Sequence, residues 1–130
     1  MVARPEDRPE DDVLFARGLR HAHRGSPALL GVSLGVRQGE ILGVLGPHAA
    51  GKTTLLRCLA GEIVPDEGEV WFNSAPVHPQ PRAVRERLRR EHFGWVGPRP
   101  HLLPELTVRE NAALPLLLCG ATHRAAHRGA

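Results

Sequence analysis

Apolar and polar positions organise the chain into short blocks separated by glycine and proline. Residues 1–12 carry Pro, Asp, Glu and Arg with almost nothing apolar, the composition of a disordered tail. Val13–Arg17 (VLFAR) predicts a short strand, Arg20–Pro27 a polar loop, and Leu29–Val36 (LLGVSLGV) a second strand. After a turn at Gln38-Gly39-Glu40, the near-continuous apolar run Glu40–Leu45 (EILGVL) predicts a buried central parallel strand. A glycine-bearing loop over Gly46–Gly51 leads into a helix over Lys52–Ala60, closed by Gly61. Pro65–Gly68 is a turn signal ahead of a strand over Glu69–Asn73. A proline-rich loop covers residues 74–81, a basic helix Arg82–Glu91, and a short strand Phe93–Val96. A proline-rich connection, Gly97–Pro104, comes next. Thr107 caps a helix through Leu118, with Glu110 placed for a capping box. Residues 119–130 read as a frayed tail. The order is that of an α/β fold with a β-rich N-terminal part.

Length sharpens this: 130 residues make one modest domain, here residues 13–118. The N-terminus is too polar for a secretory leader, and no apolar run nears the ~20 residues of a membrane-spanning helix. Cys58 and Cys119 show neither disulfide nor metal spacing, which points to a reducing, intracellular setting. The net charge of +3 suits an anionic ligand. Five arginines, Arg82, Arg85, Arg87, Arg89 and Arg90, lie in the basic helix, but no aromatic is interleaved and Glu86 and Glu91 supply local pairs. The stretch therefore reads as a solvated face, and no nucleic-acid partner is expected.

The cations carry the decisive pattern. Lys and Arg total 17, and Lys52 is the single lysine. It falls in Gly46-Pro47-His48-Ala49-Ala50-Gly51-Lys52-Thr53, which fits G-x-x-x-x-G-K-[ST] at every fixed position, between an apolar run and a helix. In such a P-loop, main-chain N–H groups from Ala49 to Thr53 donate to phosphate oxygens at a helix N-terminus. Gly46 and Gly51 allow tight turns and close backbone approach. Lys52 would reach the β- and γ-phosphates, and Thr53 Oγ would hold Mg²⁺. The expected ligand is Mg-ATP. A glycine-rich turn with no ligand would leave the lone lysine unexplained.

Around that motif the chain resembles the ATP-binding subunits of ABC transporters, over about residues 13–118. LLGVSLGVRQGEILGVLGPHAAGKTTLLRCLAGEIVPDEGEVWFN looks like that family's opening block, and HLLPELTVRENAALPLLL like a later stretch. The ALPLLL ending is most similar to the lipoprotein-release and macrolide-export branch. The resemblance implies a P-loop NTPase fold of ABC type, here truncated. It implies a Walker A loop over Gly46–Thr54 and ATP with Mg²⁺ as ligands. It puts His23 where the family has an aromatic stacking on adenine; a solvated loop histidine is the alternative. A transmembrane permease would meet the Thr107–Leu118 region, and two nucleotide-binding domains would pair if the domain were completed. The expected location is cytoplasmic, peripheral to the membrane through that partner.

Three departures qualify the resemblance. Ala49 replaces a usual glycine, which adds strain of roughly 1 kcal/mol or more if its φ is positive. His48 replaces a small polar residue and either touches phosphate or faces solvent. Pro98 stands where the family has a glutamine contacting Mg²⁺ and the attacking water. In addition, none of the four aspartates (7, 11, 12 and 66) ends an apolar run as a Walker B strand would. Phosphoryl transfer rests on positioning such groups, so this chain alone is expected not to turn over ATP. It would also leave the Glu40–Leu45 strand poorly flanked, with marginal stability. The alternative reading is a degenerate, non-hydrolysing nucleotide-binding or interaction module.

Overall fold

The computed structural model describes residues 12–99 and 101–129. The predicted tail at 1–12 therefore lies outside the described residues, except for Asp12. In chain order the elements are β1 (Asp12–His23), β2 (Ser26–Arg37), α1 (Lys52–Leu59), β3 (Glu67–Phe72) and β4 (Ala75–Pro76). These precede α2 (Arg82–His92), α3 (Val108–Leu118) and α4 (His123–Gly129). They divide into two compact units, one up to Glu86 and one from Arg87 onward.

The first unit is built on an antiparallel sheet of order β2-β1-β3-β4. β1 and β2 are each 12 residues long and run through the segment expected to be a polar loop at Arg20–Pro27. Arg20 pairs with Leu30 and His21 with Leu29, so the strands continue to a two-residue turn. Arg24 and Gly25 form that turn with φ of 48° and 84°. Two successive positive φ values match the right-handed twist of a hairpin. Cross-strand pairing has overridden local polarity here. β1 also pairs with β3, Ala16 opposite Val70, and both side chains are fully buried or nearly so. α1 presents Leu55, Cys58 and Leu59 to the same core at helical spacing. Leu19, Leu29 and Val77 are buried as well.

Two expected strands are not formed. Glu40–Leu45 has no ladder partner among the described residues, with Ile41 97% and Leu45 94% exposed. Phe93–Val96 is likewise irregular, and Val96 is 97% exposed. Both have strand composition, but a strand needs a hydrogen-bonding neighbour, and neither finds one here.

In the second unit Thr107 caps α3 as expected. Its hydroxyl accepts from the Glu110 N–H, and the Glu110 carboxylate accepts from the Thr107 N–H at 2.8 Å. The bond from the Thr107 N–H, and then one donated by the Thr107 hydroxyl at 2.7 Å, hold the Glu110 carboxyl below its ordinary pKa. Asn111 ties the preceding loop down: its Nδ2 donates to Leu103, Leu106 and Thr107 carbonyls, and its Oδ1 accepts from the Leu103 N–H. The expected frayed tail contains a helix instead. Arg109 of α3 donates to the His127 carbonyl of α4, and Ala113 and Ala126 are fully buried. No described helix is long and apolar enough to cross a membrane.

Candidate functional site: the loop before α1

Gly51 sets the geometry of the loop. It is the N-cap of α1, in the left-handed conformation with φ 85° and ψ 5°. A Cβ there would lie 2.1 Å from the Ala28 carbonyl oxygen on β2. No side chain fits, and glycine is required on both counts. Gly46 is different: its Cβ would meet Ala50 Cβ at 3.4 Å, and its φ is not in the left-handed region. The loop backbone by itself does not demand glycine at 46.

The start of α1 is uncapped. The first N–H groups of a helix have no partner within it. Gly51 supplies no side-chain cap, and α1 has no acidic residue in its first turn. Arg57 in the last turn, ion-paired to Glu62 at 3.7 Å, suits the opposite end of the dipole. Lys52 reaches back over the loop. Its Nζ donates to the Gly46 carbonyl at 2.7 Å and the Pro47 carbonyl at 2.6 Å. An ammonium has three donors, so these bonds use two and hold the charge at the loop. Thr53 is exposed.

The remaining expected site residues fall in three groups. Pro47, His48, Ala49 and Ala50 are exposed along the loop. Ala49 has φ 63°, the strained case that its replacement of glycine raised. Thr54 is buried, and its Oγ1 lies 3.2 Å from His23 Nε2. Its side chain is thus turned to the hairpin, and only its main-chain N–H belongs with the loop. That same bond brings His23, 31 positions earlier, to the first turn of α1.

Two partners of this arrangement were not read from the sequence. Asp66 Oδ2 accepts from the Ala22 N–H at 2.8 Å and lies 3.5 Å from His21 Nδ1. The His21 ring packs edge-on against His23, with centroids 4.8 Å apart. Asp66 looked like part of a turn signal only, and no local pattern announces its pairing with residue 22. Cys58, buried on α1, is an inert core thiol: burial, then the Asp66 charge, push its pKa up to about 11.

The sequence pattern of the ABC transporter family matches residues 29–129, most of the chain and all of the loop. The chain belongs to the ABC transporter family. Among ABC relatives, it is 36% identical over 110 residues to the lipoprotein-releasing system ATP-binding protein LolD 2 of Rhodopirellula baltica. That alignment takes in 82% of this chain and 43% of the relative. It is 40% identical over 118 residues to the methionine import ATP-binding protein MetN of Mesorhizobium japonicum, covering 91% of this chain and 32% of that one. The chain therefore spans less than half the length of these two curated ABC relatives. Its fold matches the dimeric structure of MJ0796, a bacterial ABC transporter cassette, with a TM-score of 0.80 at 24% identity. That match covers 88% of this chain and 53% of MJ0796. A post-hydrolysis structure of MJ0796, bound to ADP and Pi, matches equally well. These matches establish the P-loop NTPase fold of ABC type that the sequence led us to expect.

Proposed function

We propose that the chain forms the phosphate-binding part of an ABC transporter nucleotide-binding domain and takes Mg-ATP at Gly46–Thr53. The observation that carries this is the glycine-enforced turn at Gly51, which opens an uncapped helix beneath the single lysine. Main-chain amides from Ala49 to Thr53 would donate to the phosphates. Lys52 would exchange its two loop carbonyls for phosphate oxygens, a stronger charge-assisted pairing. Thr53 Oγ would hold Mg²⁺, which supplies charge neutralisation at the β- and γ-oxygens. His23, tethered to Thr54, would border the base. ADP and Pi in the MJ0796 match support a nucleotide of this class.

A permease subunit is the proposed partner of Thr107–Leu118, and a second nucleotide-binding domain the partner of the completed domain. The capped, Asn111-braced start of α3 offers a rigid surface for the first. ATP turnover would require such an assembly. Pro98, with no polar side-chain atom, favours the second reading, a module that binds nucleotide without hydrolysing it. Equilibrium dialysis with ATP, with and without Mg²⁺, tests the site. Mg²⁺ should tighten binding, and Thr53→Ala should remove about tenfold of that gain, in line with a lost contact to a charged group. Equal binding with and without Mg²⁺ in both proteins would refute the metal assignment.

A further inference from the structure

β1 runs on beyond the strand beside it. β3 begins at Glu67, opposite Arg20, so His21, Ala22 and His23 extend past the last pair of that ladder. On the other side Ala22 lies opposite Pro27, which has no N–H to give. On the edge that β3 leaves open, Asp66 supplies the bonds. Its N–H donates to the Arg20 carbonyl at 2.8 Å, and its Oδ2 accepts from the Ala22 N–H at 2.8 Å. One side chain thus carries the ladder past the end of β3.

The stretch held in this way reaches the helix that opens after the glycine-bearing loop. Asp66 Oδ2 also lies 3.5 Å from His21 Nδ1, and the His21 ring meets the His23 ring edge-on at 4.8 Å. His23 Nε2 is 3.2 Å from Thr54 Oγ1 in the first turn of α1. His21 is half-buried, whereas His23, the outer ring of the pair, is exposed. A nucleotide held by its phosphates at the loop leaves its base to rest on a flat surface nearby, and His23 is the ring bonded to that turn of the helix. Ordering such a ring before the ligand arrives lowers the cost of binding.

We infer, on the phosphate reading of the loop, that Asp66 is a positioning residue for nucleotide recognition: it fixes the end of β1 so that His23 stands ready for the nucleoside part of the ligand. Asp66 acts through Ala22 and His21 rather than on the ligand itself.

Inorganic tripolyphosphate carries phosphates without a nucleoside and so separates the two contributions. The full chain, Asp66→Ala and Asp66→Asn are each titrated with ATP and with tripolyphosphate, all with Mg²⁺. Asp66→Ala should weaken ATP about fivefold, on the scale of a base–ring stack, and leave tripolyphosphate unchanged. Asp66→Asn keeps an acceptor for the Ala22 N–H and should restore most of that loss. The Ala22 bond is exposed, so water can replace the acceptor and the fold should survive. If Asp66→Ala does not fold, exchange of the Ala22 amide in the unsubstituted chain decides. Coupling is reciprocal, so ATP must slow that exchange more than tripolyphosphate does. Unweakened ATP binding, equal loss of both ligands, no recovery in Asp66→Asn, or equal slowing by the two ligands would overturn the inference. An unsubstituted chain that binds neither ligand would refute the phosphate reading, and the role of Asp66 with it.

Discussion

Two six-residue segments with similar composition have opposite fates. β3, Glu67–Phe72, pairs with β1 on one side and β4 on the other, and its Val70 is 1% exposed. Glu40–Leu45 has at least as strong an apolar pattern, yet it is irregular, with Ile41 97% exposed. The difference lies in neighbours rather than in propensity. β1 returns alongside β3 and satisfies its N–H and C=O groups, and nothing described here does this for Glu40–Leu45. Strand propensity expresses a fit to a paired, half-buried surface. A segment can carry that fit without being a strand when no described neighbour pairs with it.

A charge placed in each segment gives the largest contrast. Val70→Asp buries an unpaired carboxylate in the core and should cost about 3 kcal/mol or more, enough to unfold the first unit. Ile41→Asp should change stability by less than about 0.5 kcal/mol and improve solubility. Thermal melts followed by circular dichroism would show both. An equally large loss from Ile41→Asp would mean that this segment is packed in solution, and the comparison would fail.

The loop between these segments offers a smaller, oppositely signed pair. Gly51→Ala pushes a methyl into the Ala28 carbonyl at positive φ, and should destabilise by roughly 2 kcal/mol or more. Ala49→Gly relieves a left-handed alanine and should stabilise by about 1 kcal/mol. Denaturant midpoints measure both. If the two glycine–alanine exchanges shifted stability in the same direction, the loop conformation described here would be wrong.

The smallest effect is a pH dependence on the paired side of the comparison, next to β3. Burial, and then the Arg85 charge, lower the His78 pKa from an ordinary 6.5 to about 4 in the folded state. The unfolded chain therefore takes up a proton before the folded one does. The stability contributed by neutral His78 is complete above pH 6.5 and is lost as the pH falls toward 4. His78→Gln should flatten that decline without changing the slope above pH 7. An unchanged acid limb would remove the burial of His78 from the account.

Much of this was legible in the chain itself. The glycine-bearing loop, the helix it opens and the Thr107–Glu110 cap are short-range patterns in which the residues that matter are neighbours in sequence. The hairpin was less legible, because Arg20–His23 look polar and become strand only by pairing across the turn at Arg24-Gly25. Glu40–Leu45 failed for the converse reason, since its composition is right and no described residue pairs with it. The Asp66 and His78 contacts join residues with no local signal linking them. At Gly46 and Gly51 the motif marks two equivalent glycines, but only the packing against Ala28 shows which of them the folded backbone requires.

The central claim is that the loop before α1 holds a triphosphate through Lys52 and main-chain amides. Titrating ATP in the presence of Mg²⁺ into the chain and into Lys52→Ala tests it most directly. Loss of a charge-assisted bond of about 1.5–3 kcal/mol corresponds to affinity roughly 10- to 100-fold weaker in the variant. Equal affinity in the two proteins would contradict the account.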